Sequence, residues 1–566
     1  MAYLLPMAAP LLSAVSLAVV LLGSAPHPLA GDSVERTLAR LTLREKAAQM
    51  VMPWIPGGSE LSGADLQRAE LLARQYRVGG FIVGKGEAAI TTRSLRRLQR
   101  LSRVPLLVAA DLESGPAMRL IGGSQLPTHM ALGATGDTTL AYEQGRATAV
   151  ESRLAGIHLA LAPVADVNVD PLNPIINTRS FGGNAAQVGD MVAAFVRGVQ
   201  DGGMLAVAKH FPGHGDTRTD SHLALPVVRA DRARLDSVEL VPFRRAIEAG
   251  VAGIMTAHIA LPTITGRTVP ATLSRRITTD ILRRDLGFSG LVVTDALNMA
   301  GVSGYEEPEI VLRAIEAGAD ILLQPRDTRL AVNAIVEGVR SGRISRARIE
   351  ASVRRILAAK ERVMAATLDS VSADSLAALR AGHAALAAEI AGRSITLLRD
   401  RNGSLPIADG DTIVSVVIGD GSARAPGDAF DRALRRAGRV VEAARVPSRA
   451  RAADLERAMS AALRARRVII VSSYAQAAPG RGTVGVPPRV IEWVQRLSAR
   501  QRVIFIAFGD PYVARRLESV PTIVLAWSVA PTAQEAAARA VAGEAPITGT
   551  MPIALTRTGA SGAPAP

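Results

Sequence analysis

Eight short apolar runs, separated by stretches of helical periodicity, occupy the chain from about residue 31 to 365. They lie at 48–55, 78–83, 105–110, 159–167, 205–211, 253–259, 291–297 and 320–324. Such runs suit strands better than buried helices, and near-continuous apolarity is what a strand covered on both faces requires. Segments 66–76, 187–200, 241–249, 276–285 and 308–316 read as the covering helices. Eight strand–helix alternations in this space predict a (β/α)8 TIM-type barrel. An open doubly wound sheet shares the alternation, but no G-x-G-x-x-G turn follows the first run.

A helical stretch at 344–364 closes this unit, expected at 31–365. Residues 366–374, which include several Ser and Asp, read as a linker or the start of a covering helix. A second unit, 375–557, shows strand-like runs at 394–398, 412–418, 467–472, 502–508 and 521–527 with Ala/Arg-rich helices between them. It reads as a smaller α/β sandwich. Residues 558–566 lack a core-forming pattern and are expected to be disordered.

Composition narrows the function classes. With 48% hydrophobic and 21% charged residues the chain is an ordinary globular protein. The net charge of +15 is carried by Arg spread along the length, and aromatics are only 3%, so a nucleic-acid partner is not expected. The absence of cysteine excludes disulfides, thiolate metal sites and a lipid-modified cysteine. Residues 1–30 carry no charge; 11–22 is apolar apart from two serines, and Gly23-Ser24-Ala25 suits a cleavage site. This predicts an export signal and a periplasmic or extracellular location. Membrane anchoring by the same segment is the competing reading, although Pro6 and Pro10 leave the clean run short of the ~20 residues that span a bilayer.

The chemistry concentrates at the ends of the strand-like runs, where a barrel places its active site. The fifth run opens into Lys209-His210-Phe211-Pro212-Gly213-His214-Gly215-Asp216-Thr217-Arg218-Thr219-Asp220-Ser221-His222. This loop holds three of the eight histidines and one of only four lysines. The third run ends at Asp111 and Glu113, with Arg119 close behind. Asp166, Asn168, Asp170 and Arg179 follow the fourth run, His258 the sixth, and Asp295 the seventh. Acids, bases and forked cations on one face suit a polar, hydroxyl-rich ligand.

His210 and His214 are four apart, as in helical zinc sites, but Pro212, Gly213 and Gly215 argue against a helix and no Glu lies between them. No metal is expected. His214 reads as a brace for the loop. Asp220 can orient one ring nitrogen of His222 and stabilise its cationic form. Ser221 lacks the G-x-S-x-G elbow of a serine hydrolase.

The loop resembles the K-H-F-P-G-H-G…D-S-H signature of glycoside hydrolase family 3, in its β-N-acetylglucosaminidase (β-hexosaminidase) branch. The resemblance extends through Leu41-Thr42-Leu43-Arg44-Glu45-Lys46, Asp111…Arg119, Asn177-Thr178-Arg179-Ser180-Phe181-Gly182 and Val293-Thr294-Asp295. In the second unit it includes Ile395-Thr396-Leu397-Leu398-Arg399, Leu405-Pro406-Ile407, Gly509-Asp510-Pro511-Tyr512 and the stretch from Gly543 to Pro552. Glu113-Ser114-Gly115 departs from the usual Glu-Gly-Gly or Glu-Trp-Gly.

The resemblance implies a retaining glycosidase that removes terminal β-linked N-acetylglucosamine from oligosaccharides or cell-wall fragments, without a cofactor. Asp295 would be the nucleophile and His222 the general acid/base, supported by Asp220. Asp111, Arg119, Arg179, Lys209 and His210 would hold the sugar. An imidazole, with its unperturbed pKa near ~6.5, can give and take a proton near neutrality. Three other functions fit the same residues: phosphorolysis of the same glycosides, hydrolysis of β-glucosides or β-xylosides, and sugar binding without turnover.

Overall fold

The computed structural model describes residues 30–58, 63–365, 372–419, 425–446, 451–464 and 468–556. The apolar N-terminal segment read as an export signal or anchor, most of 366–374, and the tail from 557 lie outside the described residues. No described helix is long and apolar enough to cross a membrane.

Parallel strands close into a barrel. The first runs Val51–Met52 and resumes after Pro53 as Trp54–Ile55. Pro53 has no N–H to give, but its carbonyl still accepts from Ile82 at 3.0 Å. The next six are Gly80–Val83, Leu107–Ala110, Leu159–Ala160, Leu205–Phe211, Gly253–Thr256 and Leu291–Thr294. Each pairs in parallel with its predecessor. The eighth, Leu322–Leu323, is joined to the seventh by a bridge between Val293 and Ile321. It then pairs with the first through Val51↔Leu322 and Met52↔Leu323, which leaves no free edge. Apart from Trp54, which is exposed, the strand side chains are buried, as the apolar runs require.

Several expected strands are shorter than their apolar runs. The fourth is regular only at Leu159–Ala160, because Pro163 interrupts the donor ladder; a single bridge, Val164↔Lys209, continues it. The sixth and seventh stop at Thr256 and Thr294, so 257–259 and 295–297 enter the loops above the barrel.

Local sequence explains the start of the unit. In the motif from Leu41 to Lys46, Thr42 Oγ1 accepts from the Glu45 N–H, and Glu45 Oε2 accepts from the Thr42 N–H at 2.8 Å. This capping box begins helix Leu43–Gln49.

Beneath the barrel Lys360 is 2% exposed and donates to Gln49 Oε1 at 2.5 Å. Burial pushes its pKa down from 10.5 to about 7. The unfolded chain therefore holds a proton that the folded chain releases, so stability rises with pH between about 7 and 10.5 and bears the full cost below 7. We expect Lys360→Met to raise the melting temperature at pH 6 by about 2 °C or more, with the gain shrinking toward pH 10. A gain of equal size at both pH values would contradict this.

The second domain is built on a six-stranded sheet. In spatial order its strands are Thr396–Asp400, Thr522–Leu525, Val503–Ala507, Val468–Ser473, Thr412–Ile418 and Val440–Val446. Only the first of these is antiparallel to its neighbour. Val440–Val446 carries no sequence signal of a core strand: it is an edge, with Val440 exposed and Glu442 and Arg445 along it. The helix Ala373–Ser394, N-capped by Ser372, begins inside the stretch read as a linker and ties the domains together. Its Arg380 and His383 both hold Glu151 of the barrel, at 2.7 and 3.1 Å.

Candidate active site

The strand ends build a cage of alternating charges. Lys209 Nζ lies 2.8 Å from both Asp111 Oδ1 and Glu113 Oε1. Arg119 pairs with Asp111 Oδ2 at 2.6 Å. Arg179 grips Glu113 with two nitrogens, at 2.9 and 2.8 Å, the forked geometry that guanidinium favours. Burial opposes the charge on Asp111 and Glu113, but their cations outweigh it and hold both carboxyls well below the usual range. The cage is fully ionised and offers fixed donors and acceptors to hydroxyl groups.

Lys209 and His210 are consecutive in a strand, where neighbouring side chains ordinarily point to opposite faces. A bulge resolves this. Ala208 and Phe211 pair with Ile254 and Thr256, so three steps on one strand match two on the other. Both side chains are consequently buried in the same cluster. His210 Nδ1 meets Asp166 Oδ2 at 2.7 Å and its Nε2 faces Arg179 at 3.4 Å. With both ring nitrogens engaged, the imidazole is fixed in one orientation between Asp166 and Arg179. Asp166 Oδ1 also accepts from the His214 N–H at 2.6 Å, so one buried carboxylate organises the strand end and the loop base.

Asp295 follows the seventh strand, and its Oδ1 accepts from the Ala296 N–H at 2.8 Å. Burial opposes its charge, but His210, His258, the Ala296 N–H and His222 together lower its pKa. Asp295 is therefore ionised, as a nucleophile must be. His258 is held between Thr272 Oγ1 and the Ala296 carbonyl, both at 2.9 Å, and packs behind Asp295.

The loop after the fifth strand forms a flap. Gly215 sits against the fourth-strand loop so closely that a Cβ there would lie 1.8 Å from the Val167 carbonyl oxygen. His214 contacts Thr217 at 2.8 Å and Ser221 at 3.1 Å, which is the bracing arrangement. The Ser221 carbonyl accepts from Gly301 at 3.0 Å, tying the flap to the loop that carries Asp295. Asp220 is buried, and its Oδ1 accepts from His222 Nδ1 at 2.8 Å and from the His222 N–H at 2.9 Å. The His222 side chain is 35% exposed, and the Ser221–Gly301 bond keeps this end of the flap beside the loop that carries Asp295. A carboxylate-oriented imidazole thus shares a site with an ionised carboxylate above a cage of polar groups.

Every residue singled out from the sequence lies in this region: Asp111, Arg119, Arg179, Lys209 and His210 in the cage, Asp220 and His222 on the flap, and Asp295 among the histidines. Two positions carry more than the sequence suggested. Glu113 bridges Lys209 and Arg179. His129, with no motif around it, stacks on Phe181 with centroids 4.3 Å apart and bonds the Arg179 carbonyl. Burial lowers its pKa to about 4, so it packs as a neutral ring behind the arginine. Among the described residues no group of three or more His, Asp or Glu is arranged to hold a metal ion.

Residues 42–359 match the family model described as Glycosyl hydrolase family 3 N terminal domain. The chain is 30% identical over 560 residues to a β-N-acetylglucosaminidase/β-glucosidase of Cellulomonas fimi, covering 94% of this chain and 98% of that one. It is 33% identical over 387 residues to β-hexosaminidase A of Pseudoalteromonas piscicida, covering 62% and 64%. A solved family 3 β-N-acetylglucosaminidase from Paenibacillus sp. superposes with a TM-score of 0.82 at 34% identity, over 92% of this chain and all of that one.

Proposed function

Because the chain belongs to glycosyl hydrolase family 3, we propose that it removes terminal β-linked N-acetylglucosamine by a retaining double displacement. The observation that carries this reading is the His222–Asp220 pair, closed at 2.8 Å on a flap that Ser221 ties to Gly301 of the loop carrying Asp295. Names of the relatives support the choice of sugar.

In the first step Asp295 attacks the anomeric carbon as His222, oriented by Asp220, gives its Nε2 proton to the departing oxygen. The bond to the aglycone breaks and a glycosyl ester to Asp295 forms. In the second step the now neutral His222 takes a proton from water, which displaces Asp295 and releases the sugar with its original configuration. Asp111, Arg119, Lys209, Arg179 and His210 hold the ring in register.

Nitrophenyl β-N-acetylglucosaminide, β-glucoside and β-xyloside, each assayed with and without phosphate, test the assignment. The expected result is highest kcat/KM for the N-acetyl sugar with free sugar as product. A preference for the glucoside or xyloside, or sugar 1-phosphate as the main product, would overturn it.

A further inference from the structure

Asp220 has two carboxylate oxygens, and the flap itself uses only Oδ1. Oδ2 accepts from the backbone N–H of Gly480 at 2.7 Å, a residue of the second domain 260 positions away in sequence. We propose that this amide is a positioning group: the second domain holds Asp220, and through it His222, in the geometry for proton transfer. The proposal rests on the His222 role argued above.

The donor is prepared by a turn. Ala478-Pro479-Gly480-Arg481 has Pro at the second position, Gly at the third with φ +76°, and Arg481 N–H bonded to the Ala478 carbonyl at 3.2 Å. Those are the marks of a type II turn. Its internal bond uses the fourth N–H, which leaves the Gly480 N–H free to point outward at Asp220. The contact is not a single touch. Gly482 packs against Leu223, one residue beyond His222, and a Cβ at Gly482 would lie 2.9 Å from Leu223 Cδ1.

The loop that bears this turn is anchored at both ends. Ala475 accepts from the Asp510 N–H at 2.6 Å, and the Val486 carbonyl accepts from Arg516 at 2.9 Å. Asp510 in turn accepts from Asn177 Nδ2 of the barrel at 2.9 Å, and Tyr512 hydroxyl accepts from Asn168 Nδ2 at 2.6 Å. The Gly509-Asp510-Pro511-Tyr512 motif thus docks the second domain beside the cage and sets the height from which Gly480 reaches the flap. Burial raises the Asp510 pKa against these donors, so the contact costs something to keep.

A pair of substitutions isolates the amide. No atom outside its immediate chain neighbours lies within 4 Å of a Cβ at Gly480, so a side chain there meets no obstruction. Asn tolerates positive φ and keeps the turn, whereas Val, being β-branched, does not, and its turn must reverse the central peptide. Gly480→Val should lower kcat/KM about tenfold for an aglycone of poor leaving ability, as loss of one charge-assisted hydrogen bond implies, and less than about twofold for an activated nitrophenyl aglycone. Gly480→Asn should behave as wild type with both substrates, and melting temperatures should match. Equal losses on both substrates, a Gly480→Asn defect as large as that of Gly480→Val, or no loss in Gly480→Val would each overturn the proposal. If His222→Ala shows no dependence on the leaving group, the acid/base reading itself is at fault. If it does and Gly480→Val does not, the role of the second domain alone fails.

Discussion

Asp295→Ala is expected to lower turnover by more than about 10⁴-fold and to leave the melting temperature nearly unchanged. The carboxylate is the bond-forming group, and none of the other carboxylates in the site is free to replace it. Asp111 and Glu113 are neutralised by Lys209, Arg119 and Arg179, Asp166 is turned to His210 and His214, and Asp220 is committed to the flap. The fold is not expected to depend on Asp295, because its side chain accepts from the next residue's N–H and, among the described residues, bonds no distant element. Turnover within tenfold of wild type would remove Asp295 from the mechanism. A melting temperature that fell sharply would assign the loss to folding.

His222→Ala gives the second large effect, and its size depends on the substrate. Proton donation matters most when the leaving oxygen is basic, so unactivated aglycones should lose about 10³-fold, within the range typical of general acid catalysis. An activated nitrophenyl aglycone departs without help, and its bond cleavage should slow far less. Return of water to the ester still needs a base, so the glycosyl enzyme should accumulate and show as a burst of nitrophenol before a slow steady state. Added azide, an anion that needs no deprotonation, should then speed release and yield the β-glycosyl azide. Losses equal for both aglycones, with no burst, would count against the acid/base role. Asp220→Asn should fall in the same direction, because the amide can no longer stabilise the imidazolium that His222 must become.

Much of this was legible in the sequence because the fold places strict demands on it. Barrel strands are buried on both sides, so 205–211 or 291–294 cannot hide among polar residues. The first charged side chain at the end of such a run must stand at the barrel mouth. That is why Asp111, Lys209 and Asp295 could be assigned to one site before any distance was known. What could not be read is pairing across long separations. Asp111 and Lys209 meet 98 residues apart, and Glu113 and Arg179 meet 66 apart. No local pattern says which acid takes which cation. The bulge that turns Lys209 and His210 to the same side is likewise invisible, because nothing in the residues 205–211 announces the extra step. The edge strand Val440–Val446 was missed for the opposite reason: it is half in solvent and needs no apolar run. His129 was silent because its part is to pack, neutral, behind Arg179.

The second domain has a clearer physical role than its sequence indicated. In the described structure it offers the flap a backbone amide and, through Asp510 and Tyr512, a docking point on the loop after the fourth strand. Proton transfer needs only imidazole and carboxylate, and both sit on the barrel's own flap. Part of the support that holds them comes from the second domain, through Gly480.

The most direct measurement is to trap the covalent intermediate. Incubation with a 5-fluoro-N-acetylglucosaminyl fluoride slows the second step more than the first and leaves the sugar on its nucleophile. Mass spectrometry of the digested protein should find one fluorosugar on the peptide that contains Asp295, and none when the same experiment is run on Asp295→Ala. A sugar attached to any other residue, or turnover of substrate with inversion at the anomeric carbon, would contradict the double displacement.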